Sequence, residues 1–413
     1  MTDRGKLMLV AAAASWVVSR TFAIDELSMA ALACIALVVV GVTYTRVASA
    51  HVSMRRSVRP HRLFHDAHAT VTLDVRNDGR LPTAVLIVED RVPGVLAIPP
   101  RFVVPPLRPR QVHQVTYRLH GRQRGRYAIG PAVVHLRDPF GVAQRPVRFG
   151  ATNEVLVYPP VWALPPALPR MGPVGTVSDG SARPLATSGD FANIREHVRG
   201  DDLRKVHWKS TAHRGKIMIK QEQAPQGAEA TIVLDTRRDA HRGTGPTSTF
   251  EEAVAVAASA AYDLSERGYR LRLVAGSVTE PAPTLPWEVL LERLAVVSAR
   301  RGATLRPVWQ PLAAGTAGEG MLVAVVAPPG AEDLRHMVRA GRGFALRVAV
   351  VVAARTPRPE PGSRERLAAG DALRALRVAG WRASLHRPGD RLDVTWGELA
   401  LHAARGAPAG SPR

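Results

Sequence analysis

Leu27–Thr45 reads L-S-M-A-A-L-A-C-I-A-L-V-V-V-G-V-T-Y-T, nineteen residues without a charge. A helix rises about 1.5 Å per residue, so this run nearly matches a hydrocarbon core of about 30 Å. Inside lipid a helix satisfies its own backbone polar groups, and the run predicts a transmembrane helix. Leu7–Ile24 is a second apolar run, broken only by Arg20, whose long stem lets its charge reach the interface. Asp25 and Glu26 join the two runs, which predicts a tight transmembrane hairpin over residues 1–46. Thr21-Phe22-Ala23 also has the small-x-small form of a cleavage site, so a cleaved signal peptide is the alternative for the first run. Arg4 and Lys6 precede the hairpin, and Arg46, Arg55, Arg56, Arg59 and Arg62 follow it. With basic flanks and an acidic turn, the positive-inside rule predicts a two-span anchor in the plasma membrane with the body in the cytoplasm.

The chain has 413 residues, enough for two or three domains of about 150 residues each. Its net charge is +21, but the arginines are spread over the whole length, as a GC-rich codon bias produces, and form no block. Aromatics are 5% of the residues, few for base-stacking platforms, and no nucleic-acid motif is present, so a nucleic-acid partner is not expected. Cys34 is the sole cysteine, which excludes an intrachain disulfide or a Cys-based zinc site.

Residues 47–160 read as a small β domain. Ala69–Arg76 alternates apolar and polar residues, and Asn77-Asp78-Gly79 supplies a turn. Thr83–Glu89, Gln111–Leu119, Pro131–Arg137 and Glu154–Tyr158 read as further strands, a spacing that predicts an antiparallel sandwich-like fold. His61, His65 and His68 have helical spacing, but the strand lead-in at Phe64 predicts scattered, solvated rings. A Pro/Gly-rich linker over 161–190 and a charged segment over 191–226 follow. Residues 227–400 then alternate strands with helices. Thr231–Asp235, Tyr269–Ala275, Met321–Ala327, Arg347–Ala353 and Trp381–His386 read as strands, and Thr249–Arg267, Pro286–Arg300 and Arg364–Ala379 as helices. The pattern predicts a mainly parallel sheet covered on both faces, with ligands beyond the C-terminal strand ends, where Asp235 falls. Residues 401–413 read as a disordered tail.

Four of the five lysines, Lys205, Lys209, Lys216 and Lys220, sit in the charged segment. Asp201 can cap a helix over 202–213, with Asp202 in its first turn and Gly215 as its stop. Lys205 and Lys209 then share a helix face, and Lys216 and Lys220 share a face of a following strand. Trp208 offers a large amphipathic surface. A purely architectural role is the competing reading: Asp201 caps, Arg195 and Arg204 pair with Glu196 or Asp202, and Trp208 packs in a core. Codon bias alone would have put Arg at the lysine positions.

Phe191, Arg195-Glu196, Gly200-Asp201-Asp202, Arg204, Trp208-Lys209, Ala212 and Gly215 together resemble the signature of the family called domain of unknown function 58. Arg124-Gly125-Arg126-Tyr127, Gly130-Pro131 and Asp138-Pro139-Phe140-Gly141 resemble the segment of its β domain. His197 and His213 depart from the pattern, which has Tyr and Arg there. The resemblance implies a membrane hairpin, an extended β domain and a von Willebrand factor A-like α/β domain. It also implies a partner, a MoxR-type AAA+ ATPase, with no assigned activity. Such α/β domains can bind a divalent ion through D-x-S-x-S, but here the segment is Asp235-Thr236-Arg237-Arg238-Asp239. A guanidinium opposes a hard cation that needs oxygen ligands, so no metal site is expected, and Asp235 and Asp239 are its only candidates.

These readings converge on a non-catalytic, membrane-anchored adaptor with no cofactor. Its partner-binding residues would be Arg195, Glu196, Gly200, Asp201, Asp202, Arg204, Lys205, Trp208, Lys209, Lys216 and Lys220. The alternative is a hydrolase using Asp201, Asp202, His207 and His197, residue types capable of acid–base work. No nucleophile with its base accompanies them in the sequence.

Overall fold

The computed structural model describes residues 1–49, 51–168, 170–171, 177–178, 193–196, 218–221, 229–276, 283–314, 320–354 and 364–404. They fall into two compact units, Met1–Pro159 and Pro160–Arg413.

The first unit begins with helices α1 (Asp3–Phe22) and α2 (Asp25–Ser49). Thr2 caps α1 by accepting from the Gly5 amide at 3.2 Å. Ala23, with φ 54°, ends α1 in the left-handed conformation, and its N–H returns to the Ser19 carbonyl. The turn is thus Ala23-Ile24. Asp25 and Glu26, read above as the connection, lie in the first turn of α2, where their charge suits the helix dipole. The two helices pack along each other. Among the described residues, the helix over Asp25–Ala48 is long and apolar enough to cross a membrane.

The start of α1 is tied to the loop at Asp138–Val142. The Thr2 amide donates to the Val142 carbonyl at 3.1 Å, and the Thr2 hydroxyl to the Gly141 carbonyl at 2.7 Å. A Cβ on Gly5 would stand 2.1 Å from the Val142 oxygen, so the close approach requires glycine. The loop is itself held by the Asp138 carboxylate, which accepts from the Phe140 amide at 2.9 Å and the Ala143 amide at 2.5 Å.

Ten strands follow: β1 (Val52–Arg59), β2 (Arg62–Leu63), β3 (His68–Asn77), β4 (Leu86–Asp90), β5 (Arg101–Val104), β6 (Val112–His120), β7 (Gly125–Ile129), β8 (Ala132–Arg137), β9 (Gln144–Phe149) and β10 (Asn153–Val157). They form sheets ordered β1-β3-β6, β2-β10-β7 and β5-β4-β8-β9. One core serves all three. Leu73 of β3, Leu86 of β4, Leu119 of β6, Ile129 of β7, Val134 of β8 and Val155 of β10 belong to it. The alternation seen in the sequence holds along β3, where Ala69, Val71, Leu73 and Val75 are buried. The expected strand from Thr83 begins only at Leu86. Thr83 is occupied outside the ladder, exchanging hydrogen bonds with Leu107 through its amide and its hydroxyl. The rings of His68 and His120 stack at 4.4 Å, and His120 Nε2 meets Asp66 at 2.6 Å.

Strand β1 corrects the reading of Arg56 as part of a basic flank. Arg56 is buried, and its fork meets Asp90 through Nε at 2.9 Å and Nη2 at 2.5 Å. Its Nη1 donates to the carbonyls of Ala151 and Ile129. Tyr117 donates to Asp90 at 2.7 Å, and burial together with that carboxylate pushes its phenol above the ordinary range.

In the second unit, residues 161–168 of the expected linker are hydrogen-bonded to its helices and sheet, and Ala167 and Leu168 are buried. The Trp162 amide donates to Ser259 Oγ at 3.0 Å, and the carbonyls of Leu168 and Ala167 accept from Arg267 and Arg382. Two short antiparallel pairs come next: β11 (Arg170–Met171) with β12 (Val177–Ser178), and β13 (Asn193–Glu196) with β14 (Met218–Gln221). The rest comprises β15 (Glu229–Leu234), α3 (Thr249–Glu266), β16 (Arg270–Ala275), β17 (Thr284–Leu285), α4 (Trp287–Val296), α5 (Arg306–Ala314), β18 (Met321–Val326), α6 (Ala331–Gly341), β19 (Leu346–Val352), α7 (Arg364–Val378), β20 (Arg382–His386) and α8 (Leu392–Ala404). The sheet order is β17-β16-β15-β18-β19-β20, parallel throughout except for β17 at its edge. Every residue of β18 is buried, as a central parallel strand covered on both faces requires. Helix α3 is capped by Ser248 and buries a nearly continuous Ala/Val run from Ala253 to Ala261.

Helices α5, α6 and α8 were not expected from the sequence. The helix expected over Pro286–Arg300 stops at Val296. Beyond it the chain turns extended, and Arg300 exchanges backbone hydrogen bonds with Thr236 and Arg238 after β15. The expected tail over 401–413 lies outside the described residues, apart from the last turn of α8.

The buried Arg56–Asp90 pair yields a first prediction. Arg56→Ala strands a buried carboxylate and should cost the first unit about 3–5 kcal/mol, whereas Arg56→Met with Asp90→Leu should recover most of the loss. Urea unfolding of both variants measures the difference.

Candidate functional site

The parallel sheet reverses its winding between β15 and β18, and the crevice beyond such a switch point is where open α/β sheets bind ligands. Strand β15 is an apolar run, and Asp235 follows its last residue. The Asp235 amide donates to the Val325 carbonyl of β18 at 2.9 Å, which fixes the acid at this point.

Asp235 is fully buried, and both of its oxygens are occupied. Oδ1 accepts from the Arg237 amide and from Arg237 Nε, each at 3.0 Å. Oδ2 accepts from Arg237 Nη2 at 2.8 Å and from the Ala327 amide at 3.3 Å. Arg237 Nη1 reaches Asp333 Oδ2 at 2.6 Å, at the start of α6. The guanidinium is therefore a tethered cation between two carboxylates, one from each side of the switch point. Burial by itself lowers its pKa, but the hydrogen bonds and charges of Asp235 and then Asp333 outweigh that and hold it above the ordinary value. No lone pair of Asp235 remains for a metal ion. Asp239 is used elsewhere, on a short 3-10 turn over Arg238–Ala240, where it accepts from the Gly302 amide at 3.4 Å. Among the described residues, no group of three or more His, Cys, Asp or Glu side chains is placed to hold a metal.

His241 closes the floor. Its Nε2 lies 3.0 Å from the Asp235 carbonyl and its Nδ1 3.1 Å from Thr249 Oγ1, so the neutral ring donates from Nε2. Burial, only partly offset by Asp235, lowers its pKa. A second buried histidine, His386 at the end of β20, meets Glu252 of α3 at 2.8 Å and Thr395 of α8 at 3.0 Å. Asp333, Glu252 and His386 escaped the sequence reading. A legible signal did exist for Asp333: Pro328-Pro329-Gly330 followed by Glu332 and Asp333 has the form of a helix start with acids in the first turn.

The signature residues fall in two groups. Arg195 and Glu196 are on β13 and Lys220 is on β14. Arg195 faces Ile219 in register, Glu196 faces Met218, and Ile194 faces Lys220, so one antiparallel ladder gathers these three positions. The described strand covers Met218–Gln221. Lys216, Gly200, Asp201, Asp202, Arg204, Lys205, Trp208, Lys209, His197 and His207 lie outside the described residues.

Residues 193–286 match the family model described as protein of unknown function DUF58. A curated relative, the uncharacterized protein YeaD of Bacillus subtilis, is 22% identical over 205 residues, covering 48% of this chain and 49% of that protein. The chain thus spans about half the length of the curated relative it matches. Among solved structures, the CARDB domain of the PF1109 protein from Pyrococcus furiosus aligns at 21% identity over 26% of this chain and 86% of that one, with a TM-score of 0.20. A β-glucosidase from Listeria innocua aligns at 14% identity over 26% of this chain and 16% of that one, with a TM-score of 0.18. Scores this low do not establish a shared fold.

Two outcomes test the site. Arg237→Ala leaves Asp235 buried without its counter-charge and should destabilise the second unit by about 3–5 kcal/mol, read by urea unfolding. The depressed pKa of His241 means that the unfolded chain binds the proton more readily. Stability should therefore hold above the ordinary histidine value of 6.5 and fall as pH drops below it. His241→Gln should flatten that slope in unfolding measured from neutral to mildly acidic pH.

Proposed function

We propose that this chain is a member of the domain of unknown function 58 family and acts as a membrane-anchored adaptor without catalytic activity. Its α/β unit and signature segment dock a protein partner, and the candidate partner is a MoxR-type AAA+ ATPase. The observation that carries the reading is the occupied sheet mouth. Where a ligand or metal would enter, Arg237 is already clamped between Asp235 and Asp333, which favours a binding scaffold over a catalytic pocket. The strand order supports a von Willebrand factor A-like assignment. Taking β15 as the first strand, it runs 3-2-1-4-5-6 with an antiparallel third strand.

The anchor is α1 and α2, read as a two-span hairpin. Met29, Leu32, Val39 and Val40 on α2, and Leu7, Val10, Val17 and Phe22 on α1, are exposed, an apolar surface suited to lipid. Basic residues at both outer ends orient the body toward the cytoplasm. The lysines of the signature segment would offer positive charge to an acidic protein face, with Lys220 on the same β13–β14 ladder as Arg195 and Glu196, in register with Ile194.

Two measurements test this. Deleting residues 1–46 should move the protein from the membrane pellet to the soluble fraction, and a body that stays in the pellet removes the tether. The detergent-solubilised chain should capture a purified MoxR-type ATPase in an ATP-dependent manner. The variant with Lys205, Lys209, Lys216 and Lys220 changed to Ala should lose that capture while unfolding as the wild type does. Equal capture by both would remove the lysine face from the reading.

A further inference from the structure

The last two turns of α2 border a cavity of about 460 Å³ whose other wall is the turn after β3. It lies wholly within the first unit. On the helix side stand Tyr44, Val47 and His51, and on the turn side Asp78, Arg80 and Leu81. The size falls in the range of small-molecule sites. The Tyr44 hydroxyl donates to the Pro82 carbonyl at 3.1 Å, and the Asp78 amide to the His51 carbonyl at 2.7 Å, so the two walls are joined at both ends.

The lining divides by chemistry. Val47 is 49% exposed and Leu81 65% exposed, and both line a mostly apolar crevice. Asp78 brings no free negative charge, because Arg76 Nε pairs with it at 2.6 Å and Ser53 donates to it at 2.5 Å. His51 Nδ1 is spent on the Val47 carbonyl at 2.9 Å. Arg80 is exposed and pairs with no carboxylate among the described residues. An apolar slot with an unneutralised guanidinium at its rim is complementary to a molecule with an alkyl portion and an anionic head.

Position selects the class of that molecule. By length and apolar composition the candidate membrane span extends to Ala48, which puts the crevice at the end of the span next to the β strands. We infer that this crevice is a phospholipid site, with the phosphate at Arg80 and the upper acyl chain between Val47 and Leu81. The inference rests on the membrane-anchor reading above. A bound lipid would fill the gap between helix and turn and couple the β unit to the bilayer surface.

The test is native mass spectrometry of the full chain, delipidated in detergent and titrated with dioleoyl phosphatidylglycerol. Flotation with vesicles of the same lipid runs beside it. The expected result is one lipid retained by the wild type and not displaced by inorganic phosphate. Arg80→Glu, which reverses the charge, and Val47→Trp, which fills the slot, should each bind about tenfold more weakly, the scale of one lost charge-assisted contact. Both variants should still float and keep the wild-type circular dichroism. Equal retention by wild type and both variants overturns the site, as does displacement by phosphate alone. If the chain floats but retains no lipid, the site falls and the anchor stands. If the chain does not float, the anchor falls and the site with it.

Discussion

A guanidinium taken out of water costs several kcal/mol unless its N–H groups find acceptors and its charge a partner. Arg56 meets that requirement inside the β unit with two bonds to Asp90 and two to backbone carbonyls. Asp90 ends β4 and Arg56 lies mid-way along β1, while the carbonyls belong to the end of β7 and the loop before β10. One side chain thus joins strands from all three sheets of the unit. Gly130 makes the space: a Cβ there would stand 2.5 Å from Arg56 Nη1, and its φ of +104° disfavours any other residue. The second unit uses the same device at the sheet mouth, with Arg237 held by Asp235 and Asp333.

This changes what the β-domain motifs mean. Gly130 accommodates the buried guanidinium. Tyr127 folds its hydroxyl onto the carbonyls of Gln123 and Arg124, which closes its own turn. Asp138 holds the loop that accepts the two hydrogen bonds from Thr2. These three motif residues each have an architectural task. In the α/β unit the same logic reaches Asp235, which sits where a ligand-binding acid would be and is already paired.

The elements legible in the sequence were those with strong local periodicity. The apolar runs of α2, β15, β18 and β19 stood out, as did the alternation along β3 and the capped helix α3. Strand β1 was hidden because its buried Arg56 breaks the apolar alternation. Helix α5 was hidden because it carries an internal Pro311, whereas α6 was missed although Pro328-Pro329-Gly330 and the acids after it mark its start. Helix α8 follows directly on the turn at Gly389-Asp390.

The sequence by itself determined the apolar N-terminal helix, the change from alternating strands to alternating strands and helices, and the arginine at the D-x-S-x-S position. These are local properties of composition and period. Only the tertiary structure decided which charges are used up. Whether an arginine is a surface charge or a buried clasp depends on a carboxylate distant in sequence, Asp90 for Arg56 and Asp333 for Arg237. The tertiary structure likewise made the crevice between Val47 and Leu81, because its two walls come from elements separated by three strands and meet through the antiparallel pairing of β1 with β3.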